Sequence, residues 1–242
     1  MVEIKSESTY ERLFAIGDLH GCHAPFAELI QKISPGENDL VVFVGDYIDR
    51  GPESKRIVED LIRLRSGTAS FCFLKGNHED MLLGAAGYPA VVGDLETWLY
   101  NGGTSTLESY GLGSNDIYRI LYIKDRVERE AAIRNTIPQS HLDFYLSLEL
   151  YLETEHFFFC HAGVDSSSSI EEGKRNHENL LWIRSHLNVN NVRWEKTVVC
   201  GHTPLYEPIV RNKLICIDTG LYYYGTLTAI DVLNKTIVQV RR

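Results

Sequence analysis

The stretch that decides the fold is 12–21, Arg-Leu-Phe-Ala-Ile-Gly-Asp-Leu-His-Gly, in which a short apolar run ends in a polar turn bounded by glycines. The same order returns at 40–51, Leu-Val-Val-Phe-Val-Gly-Asp-Tyr-Ile-Asp-Arg-Gly, and at 70–79, Ser-Phe-Cys-Phe-Leu-Lys-Gly-Asn-His-Glu. A segment with helical spacing of apolar residues follows each turn, so each unit predicts a strand, a loop and a helix. Near-continuous apolar strands separated by helices favour an α/β protein with a parallel sheet covered on both faces.

The rest of the chain predicts a helical segment followed by more strands. Between 94 and 150 the pattern is mixed and mostly helical, with glycine-containing turns at 101–103 and 111–115, which indicates an inserted helical cap. Strand character returns in five short apolar runs, and the last two flank a hairpin signal at 232–235. We therefore predict one domain, 1–242, with a cap at about 94–150. The five runs are 156–160, 197–200, 214–217, 227–231 and 236–240.

Composition narrows the class of protein. With 242 residues, 44% of them apolar, the chain can fill a proper core. A formal net charge of −9 opposes sequence-independent binding to a polyanion, so nucleic acid is not expected as a partner. Residues 1–10 contain no apolar run that could form a signal peptide or a membrane span, which predicts a cytoplasmic protein without a membrane partner. The 5 cysteines are widely spaced and include no Cys-x-x-Cys pair, so we expect them to be reduced.

Five predicted strands end in residues that can bind a metal ion. In an open α/β sheet, loops at the carboxyl ends of the strands gather side chains on one rim. Each residue alone is explained by turn chemistry, in which aspartate, asparagine and glycine are common. Turn chemistry does not require histidine at three strand ends, nor a glycine directly before four of these residues. The residues are Asp18 and His20, Asp46, Asn77 and His78, His161, and His202.

The types of ligand indicate which metals the site would take. Carboxylate, amide oxygen and imidazole without thiolate favour Mn²⁺, Fe or Zn²⁺. A carboxylate between two groups of ligands can bridge two ions at roughly 3.5–4 Å, which suits an in-line displacement at phosphorus. Asp46 lies between the two groups in the chain, and we interpret it as the bridge.

The motifs resemble those of the metallophosphoesterase superfamily. The string at 45–51 resembles the phosphoprotein phosphatase family, especially its short bacterial and phage members. The resemblance runs from Arg12 to about Asp231 and includes His-Ala-Gly at 161–163, Leu-Leu-Trp-Ile-Arg at 180–184 and Gly-His-Thr-Pro at 201–204. It implies the calcineurin-like fold, a central β-sandwich flanked by helices in α/β/β/α layers.

The resemblance also implies a division of the metal ligands. A first divalent ion, most readily Mn²⁺, would take Asp18, His20 and Asp46. Glu79 completes the third motif and is not expected to be a ligand. The second ion would take Asp46, Asn77, His161 and His202.

The remaining roles follow from what hydrolysis of a phosphate ester needs. The resemblance nominates Arg50 and Arg184 to hold the phosphoryl oxygens in forked hydrogen bonds. His78 would protonate the leaving alkoxide, and Asp49 would hold its imidazolium. Alternatively, Arg50 and Asp49 form a surface ion pair that closes the turn, and Arg184 caps the segment after Trp182.

Three tyrosines follow the Asp-Thr-Gly string at 218–220, where the resemblance places residues near the pocket. At least one of them, Tyr222 first, is expected to border the substrate. Core packing of these rings is the alternative interpretation.

The activity implied is a metal-dependent phosphomonoester hydrolase, most simply a serine/threonine protein phosphatase in which a bridging hydroxide attacks phosphorus in line. Its substrate would be a phosphorylated protein or a small phosphoester. The alternatives are a symmetrical dinucleoside tetraphosphate hydrolase, a phosphodiesterase or nuclease, and a catalytically silent scaffold. The Tyr-x-Asp-Arg-Gly form at 47–51 disfavours the first alternative, since its second motif usually differs. Because the sequence ends at Arg242, soon after the hairpin, no regulatory subunit is implied.

Overall fold

The computed structural model describes residues 6–242, which form two mixed β-sheets and the helices that cover them. The sequence predicts no signal peptide in residues 1–10. Residues 1–5 of this stretch lie outside the described residues. The strands are β1 (Arg12–Ile16), β2 (Asp39–Phe43), β3 (Ser70–Phe73), β4 (Tyr151–Glu153), β5 (Phe157–Cys160), β6 (Thr197–Cys200), β7 (Ile209–Val210), β8 (Leu214–Cys216), β9 (Thr226–Asp231) and β10 (Thr236–Arg241).

Each sheet has five strands. The first has the order β10-β9-β1-β2-β3, in which β1, β2 and β3 are parallel and the hairpin β9–β10 is antiparallel. The second has the order β4-β5-β6-β8-β7, in which β5, β6 and β8 are parallel. The parallel sheet expected from the apolar pattern is therefore mixed, and two short strands, β4 and β7, were not predicted.

The two sheets pack face to face. Side chains alternate along each strand, so Leu13 on β1 points between the sheets while Phe14 points to the outer face. Phe159 on β5 joins Leu13 in the layer between the sheets, while Phe158 packs outward. One face of the first sheet thus packs on the second sheet and the other on helices, so both faces are covered, as the apolar pattern predicts. Because an apolar strand face is satisfied by either partner, periodicity alone could not choose.

Helices cover the two outer faces, which confirms the α/β/β/α layers of the calcineurin-like fold. Within 6–242, no helix combines the length and apolar character that crossing a bilayer requires. The helices are α1 (His23–Ile33), α2 (Ser54–Leu64), α3 (Asn77–Ala85), α4 (Leu95–Trp98), α5 (Thr104–Ser109), α6 (Ser114–Leu121), α7 (Arg126–Thr136), α8 (Gln139–Leu146), α9 (Ile170–Gly173), α10 (His177–Trp182) and α11 (Leu221–Tyr224).

The segment predicted as a cap is helical, from α4 to α8, with a π-helical turn at Leu99–Gly103. Its buried residues, such as Leu107, Ile133 and Phe144, belong to the same apolar core as α1 and α2. The π-helical turn places Gly102 against the loop after β2, where its carbonyl accepts a hydrogen bond from Arg50 N at 3.2 Å. The segment therefore contributes directly to the loops at the sheet rim; its status as an insertion into a single domain stays a prediction. All five cysteines are free and buried.

A pH-dependent contact joins the first described residues to the second sheet. The buried carboxylate of Glu7 accepts hydrogen bonds from the backbone N–H and from Nδ1 of His156, both at 2.7 Å. Burial alone would raise the pKa of Glu7, but these bonds and one from Thr154 hold it below its usual value. The hydrogen bond to Glu7 raises the pKa of the exposed His156.

We expect His156→Asn to lower the melting temperature most between about pH 4.5 and 6.5. The depressed pKa of Glu7 contributes stability that is lost as pH falls through the folded value. The raised pKa of His156 contributes stability that is lost as pH rises through its folded value. Thermal melts from pH 3 to 9 would measure the difference, with the exposed His177→Asn as control; a difference independent of pH would contradict the ion pair.

Candidate metal centre

The loops after β1, β2, β3, β5 and β6 meet at one rim of the sandwich. Five of the residues in these loops have positive φ without being glycine: His20 (42°), Asp46 (56°), Asp49 (71°), Arg50 (67°) and His202 (67°). Such conformations cost of order 1–3 kcal/mol each and persist where the surrounding structure determines them, which is common at functional sites. The backbone is therefore bent so that side chains from separate strands face one another.

Three side-chain atoms converge beside Asp46. His161 Nε2 lies 2.9 Å from Asn77 Oδ1 and 3.1 Å from His202 Nδ1, which in turn lies 3.0 Å from Asn77 Oδ1. Asp46 Oδ2 lies 3.4 Å from His161 Nε2. Adjacent ligands of an ion with bonds of about 2.1 Å are about 3.0 Å apart, so the spacing matches that of a coordination shell.

The protonation of His161 supports this interpretation. Its Nδ1 donates to the carbonyl of Val44 at 2.9 Å, which leaves the lone pair of Nε2 facing the cluster. Asn77 Oδ1 and the Asp46 carboxylate are acceptors as well, so several lone pairs point at a common centre. On His202, Nε2 is buried without a hydrogen-bond partner among the described residues. A cation at the centre of the cluster would satisfy the converging lone pairs.

A second group lies on the other side of Asp46. Asp46 Oδ2 is 3.5 Å from His20 Nε2 and 3.9 Å from His78 Nε2, and the ligand atoms of these three residues lie within 4.8 Å of one another. His20 Nδ1 donates to the carbonyl of Ile48 at 2.9 Å, so the lone pair of its Nε2 faces this group, where Arg50 Nη1 also contacts it. Asp46 is thus shared between the two groups, as expected of a bridge.

Asp18 lies beside the loop that carries His202. The first group contains His78 where the resemblance implied Asp18. Both carboxylate oxygens of Asp18 accept from the backbone N–H of His202 at 3.2 Å, so Asp18 orients the loop that carries a member of the second group. Its role as a ligand stays a prediction.

The electrostatics of the site favour added positive charge. Burial, together with the carboxylates of Asp218 and Asp46, raises the pKa of Asp18 well above its usual value. Burial also lowers the pKa of His161, and that of His202 to about 2, so these rings are in the neutral form that binds metals. Burial alone would raise the pKa of Asp46, but positive charge beside it, such as that of the surrounding imidazoles in their protonated form, lowers it. Buried carboxylates among neutral imidazoles are a setting that bound cations stabilise.

His78 and Asp49 form a buried pair. His78 Nδ1 lies 2.7 Å from Asp49 Oδ2, and both side chains are fully buried. Burial alone would lower the pKa of His78, but the carboxylates of Asp46 and Asp49 raise it above its ordinary value. Asp49 also accepts from Thr106 Oγ1 at 2.6 Å and from Trp98 Nε1 at 3.0 Å. The alternative of an exposed ion pair between Asp49 and Arg50 does not fit this geometry, since Asp49 is buried and bonds His78.

The two arginines make separate contacts at the rim. Arg50 contacts His20 Nε2 through Nη1, and its guanidinium carbon lies 5.3 Å from the centre of the Tyr223 ring. Arg184 donates to Thr203 Oγ1 at 3.2 Å. Neither guanidinium forms an ion pair with a carboxylate in the part of the chain that the structure describes, so both can bind an anion.

Glu79 joins the loop after β2 to the loop after β3. Its Oε2 accepts from the backbone N–H groups of Asp46 and Gly76, both at 2.9 Å. Its Oε1 accepts from Tyr47 at 2.8 Å and from Ile48 at 3.4 Å. Among the described residues, Glu79 is in neither group of candidate ligands; it fixes the backbone of Asp46, which the two groups share.

We expect Glu79→Gln to lower the free energy of unfolding by about 1–3 kcal/mol, because the new amide group would face two backbone donors that it cannot satisfy. Chemical denaturation followed by circular dichroism would measure this loss. Glu37→Gln, at an exposed glutamate, is the control and should leave stability within about 0.5 kcal/mol of wild type. Equal stability of the two variants would contradict the role of Glu79 in joining the two loops.

Sequence reasoning missed several residues of the site. The tyrosines at 222–224 are exposed, so the alternative of core packing is wrong. Tyr223, not Tyr222, lies next to Arg50. Trp98 and Thr106, which hold Asp49, come from α4 and α5, and no motif marks them. Tyr206, four residues after His202, stacks on Tyr224 at the same rim.

This arrangement defines a metal-binding phosphoesterase. The chain belongs to the calcineurin-like phosphoesterase family, whose sequence profile matches residues 11–236. Members of this family are hydrolases that use divalent metal ions.

Relatives and solved structures add detail. The chain is 28% identical to the asymmetrical bis(5′-nucleosyl)-tetraphosphatase PrpE of Bacillus cereus (strain Q1), over 93% of this chain and 92% of the relative. A crystal structure of a candidate diadenosine tetraphosphatase superposes with a TM-score of 0.63 at 18% identity, covering 98% of this chain and 96% of the other. A serine/threonine phosphatase of Saccharomyces cerevisiae gives 0.62 at 16% identity, covering 100% and 84%. Both structural likenesses show the fold alone.

Proposed function

We propose that this protein is a two-metal hydrolase that cuts a phosphoanhydride bond of dinucleoside polyphosphates. The observation that carries the metal chemistry is the convergence of Asn77 Oδ1, His161 Nε2 and His202 Nδ1 at 2.9–3.1 Å beside Asp46. With Asp46, these residues would hold one ion. Asp46, His20 and Asp18 would hold the other. Bound divalent ions would lower the pKa of a coordinated water molecule toward neutral pH. They would also offset negative charge on the phosphoryl oxygens.

The residues around the ions have distinct tasks in this proposal. Arg50 and Arg184 hold phosphoryl oxygens, which orients the phosphorus for in-line attack. His78, held by Asp49, gives a proton to the leaving oxygen. Glu79 keeps the Asp46 backbone in its left-handed conformation.

The choice of substrate rests on the relatives. The name of the Bacillus cereus relative specifies asymmetrical cleavage of a dinucleoside tetraphosphate, and the match covers almost the whole of both chains. We therefore place the dinucleotide before the phosphoprotein that the motifs favour, and asymmetrical before symmetrical cleavage.

A serine/threonine protein phosphatase is the second candidate, and the His78–Asp49 pair favours it. A protonated imidazole is needed most when the leaving group is a poor one, such as the alkoxide of serine. A nucleotide leaves as a weakly basic phosphate and needs this assistance less.

Substrate competition tests the order of the two candidates. We expect Mn²⁺-loaded protein to hydrolyse diadenosine tetraphosphate with a kcat/KM at least tenfold above that for phosphoserine, phosphothreonine or phosphotyrosine peptides. Anion-exchange chromatography should show ATP and AMP, and protein stripped by a chelator should be inactive until Mn²⁺ is restored. A higher kcat/KM on a phosphopeptide would reverse the order, and two equivalents of ADP would indicate symmetrical cleavage.

A further inference from the structure

Four tyrosines lie exposed at the rim beside Arg50. Tyr206 has 77% of its surface exposed, Tyr223 has 55% and Tyr224 has 44%, while Tyr222 is exposed to a similar degree. Single exposed apolar residues are ordinary on a protein surface, whereas a contiguous aromatic patch marks a binding site. We name Tyr206, Tyr223 and Tyr224 the tyrosine platform.

The platform is continuous with the candidate metal centre. Tyr206 and Tyr224 stack with ring centroids 4.2 Å apart and an interplanar angle of 24°. Tyr223 lies 6.3 Å from Tyr224 and holds the guanidinium of Arg50 at 5.3 Å from its ring. Arg50 in turn contacts His20. A continuous series of contacts therefore connects the exposed rings to His20, which is proposed to bind metal.

The backbone beneath the platform is fixed. α11 lies between two glycines in the left-handed conformation, Gly220 (φ 63°) and Gly225 (φ 78°), and is anchored by the buried Leu221. Asp218 holds both segments, since its carboxylate accepts from Gly220 N at 2.8 Å and its carbonyl from Leu205 N at 3.0 Å. The rings are thus held in place although they face solvent.

The aromatic rings of the platform and the charge of Arg50 indicate the kind of ligand that this surface binds. One face of Tyr206 rests on Tyr224, and its exposure leaves the other face open to a flat ring. Aromatic side chains stack on nucleobases, each of which has a π-face, and the adjoining Arg50 supplies the charge that a phosphate chain requires. A ligand that is flat at one end and anionic at the other matches this order of groups.

We propose that the tyrosine platform binds one nucleobase of the substrate and thereby sets which phosphate reaches the metal centre. This proposal rests on the function proposed above, for which it names the specificity site. Because the platform lies beside Arg50, it holds one nucleoside end, and the cleavage position is counted from that end.

Binding measurements test the platform without turnover. We expect calorimetric titration to show that the protein binds 5′-AMP at least tenfold more tightly than ribose 5-phosphate, since the two differ only in the base. In Tyr206→Ala and in Tyr206→Leu this preference should fall to less than threefold, while Tyr206→Trp should keep it. Equal binding of the two probes by wild type, or an unchanged preference in both variants that lack a ring, would overturn the proposal.

A matched control is available on α6. Tyr118 is 62% exposed and pairs with Tyr122 at 5.2 Å, so Tyr118→Ala also removes one ring of an exposed aromatic pair. This variant should keep the wild-type preference for 5′-AMP; a loss as large as that in Tyr206→Ala would overturn the proposal.

The two proposals fail in distinguishable ways. If diadenosine tetraphosphate is not hydrolysed but the preference for 5′-AMP depends on Tyr206, the proposed substrate is wrong and the platform stands. If the dinucleotide is hydrolysed and Tyr206→Ala keeps the preference for 5′-AMP, the platform is wrong and the proposed substrate stands.

Discussion

Asp46→Asn is expected to lower kcat/KM by about a thousandfold or more, equivalent to ~4 kcal/mol of transition-state stabilisation. Asp46 Oδ2 lies 3.4 Å from His161 Nε2 and 3.5 Å from His20 Nε2, so one carboxylate serves both groups. Asparagine keeps the size and one oxygen but removes the charge that a bridge between two cations needs. Steady-state kinetics on diadenosine tetraphosphate and metal content by mass spectrometry would measure the effect.

Asp39→Asn is the control for the loss of a buried carboxylate. Asp39 is buried like Asp46, but its Oδ1 accepts from Arg12 Nε at 3.0 Å, at the opposite end of β2. We expect this variant to melt at a lower temperature while keeping its metal content and its kcat/KM. Two ions retained in Asp46→Asn, together with more than a tenth of the wild-type kcat/KM, would show that Asp46 is not the bridge.

The motif loops could be predicted because their sequence is constrained by close contacts. A Cβ on Gly76 would collide with the Asp46 carboxylate, and a Cβ on Gly201 would collide with the Asp18 carboxylate. The glycines that precede candidate ligands in the sequence are therefore a signature of chain segments packed together at the rim. Such local rules predicted where the strands end and which side chains gather there.

The surroundings of the loops could not be predicted in the same way. Asp49 is held by Trp98 and Thr106, which lie 49 and 57 residues further along the chain. The turn that brings them close is kinked at Gly102, where φ is 111°, and no periodicity signals it. Contacts of this kind depend on tertiary packing, which a single sequence does not specify.

The second sheet shows the same limit at the level of the fold. Strands β1 and β2 are apolar on both faces, and this pattern is satisfied by a layer of helices or by another sheet. Only the resemblance of the motifs selected the β-sandwich. Composition likewise gave no sign that Tyr206 and Tyr224 stack at the rim, since tyrosine also packs in protein cores.

His78→Asn should have an effect that depends on the leaving group. General acid catalysis contributes about 10²–10⁴-fold when the leaving group is strongly basic. We therefore expect kcat on a phosphoserine peptide to fall about a hundredfold or more, and kcat on diadenosine tetraphosphate to fall less than about tenfold. Stopped assays of both substrates on the same enzyme preparation would measure the ratio.

The same experiment decides between two roles for His78. Its Nε2 lies 3.9 Å from Asp46 Oδ2, in the group that contains His20, so His78 could bind metal instead of giving a proton. Loss of a ligand would lower metal content and reduce the rates on both substrates by the same factor. Loss of an acid would leave metal content unchanged and spare the better leaving group. Asp49→Asn should also leave metal content unchanged and spare the better leaving group, but with a smaller loss of rate than His78→Asn. It removes the carboxylate that lies 2.7 Å from His78 Nδ1 and orients the ring, while the imidazole itself remains.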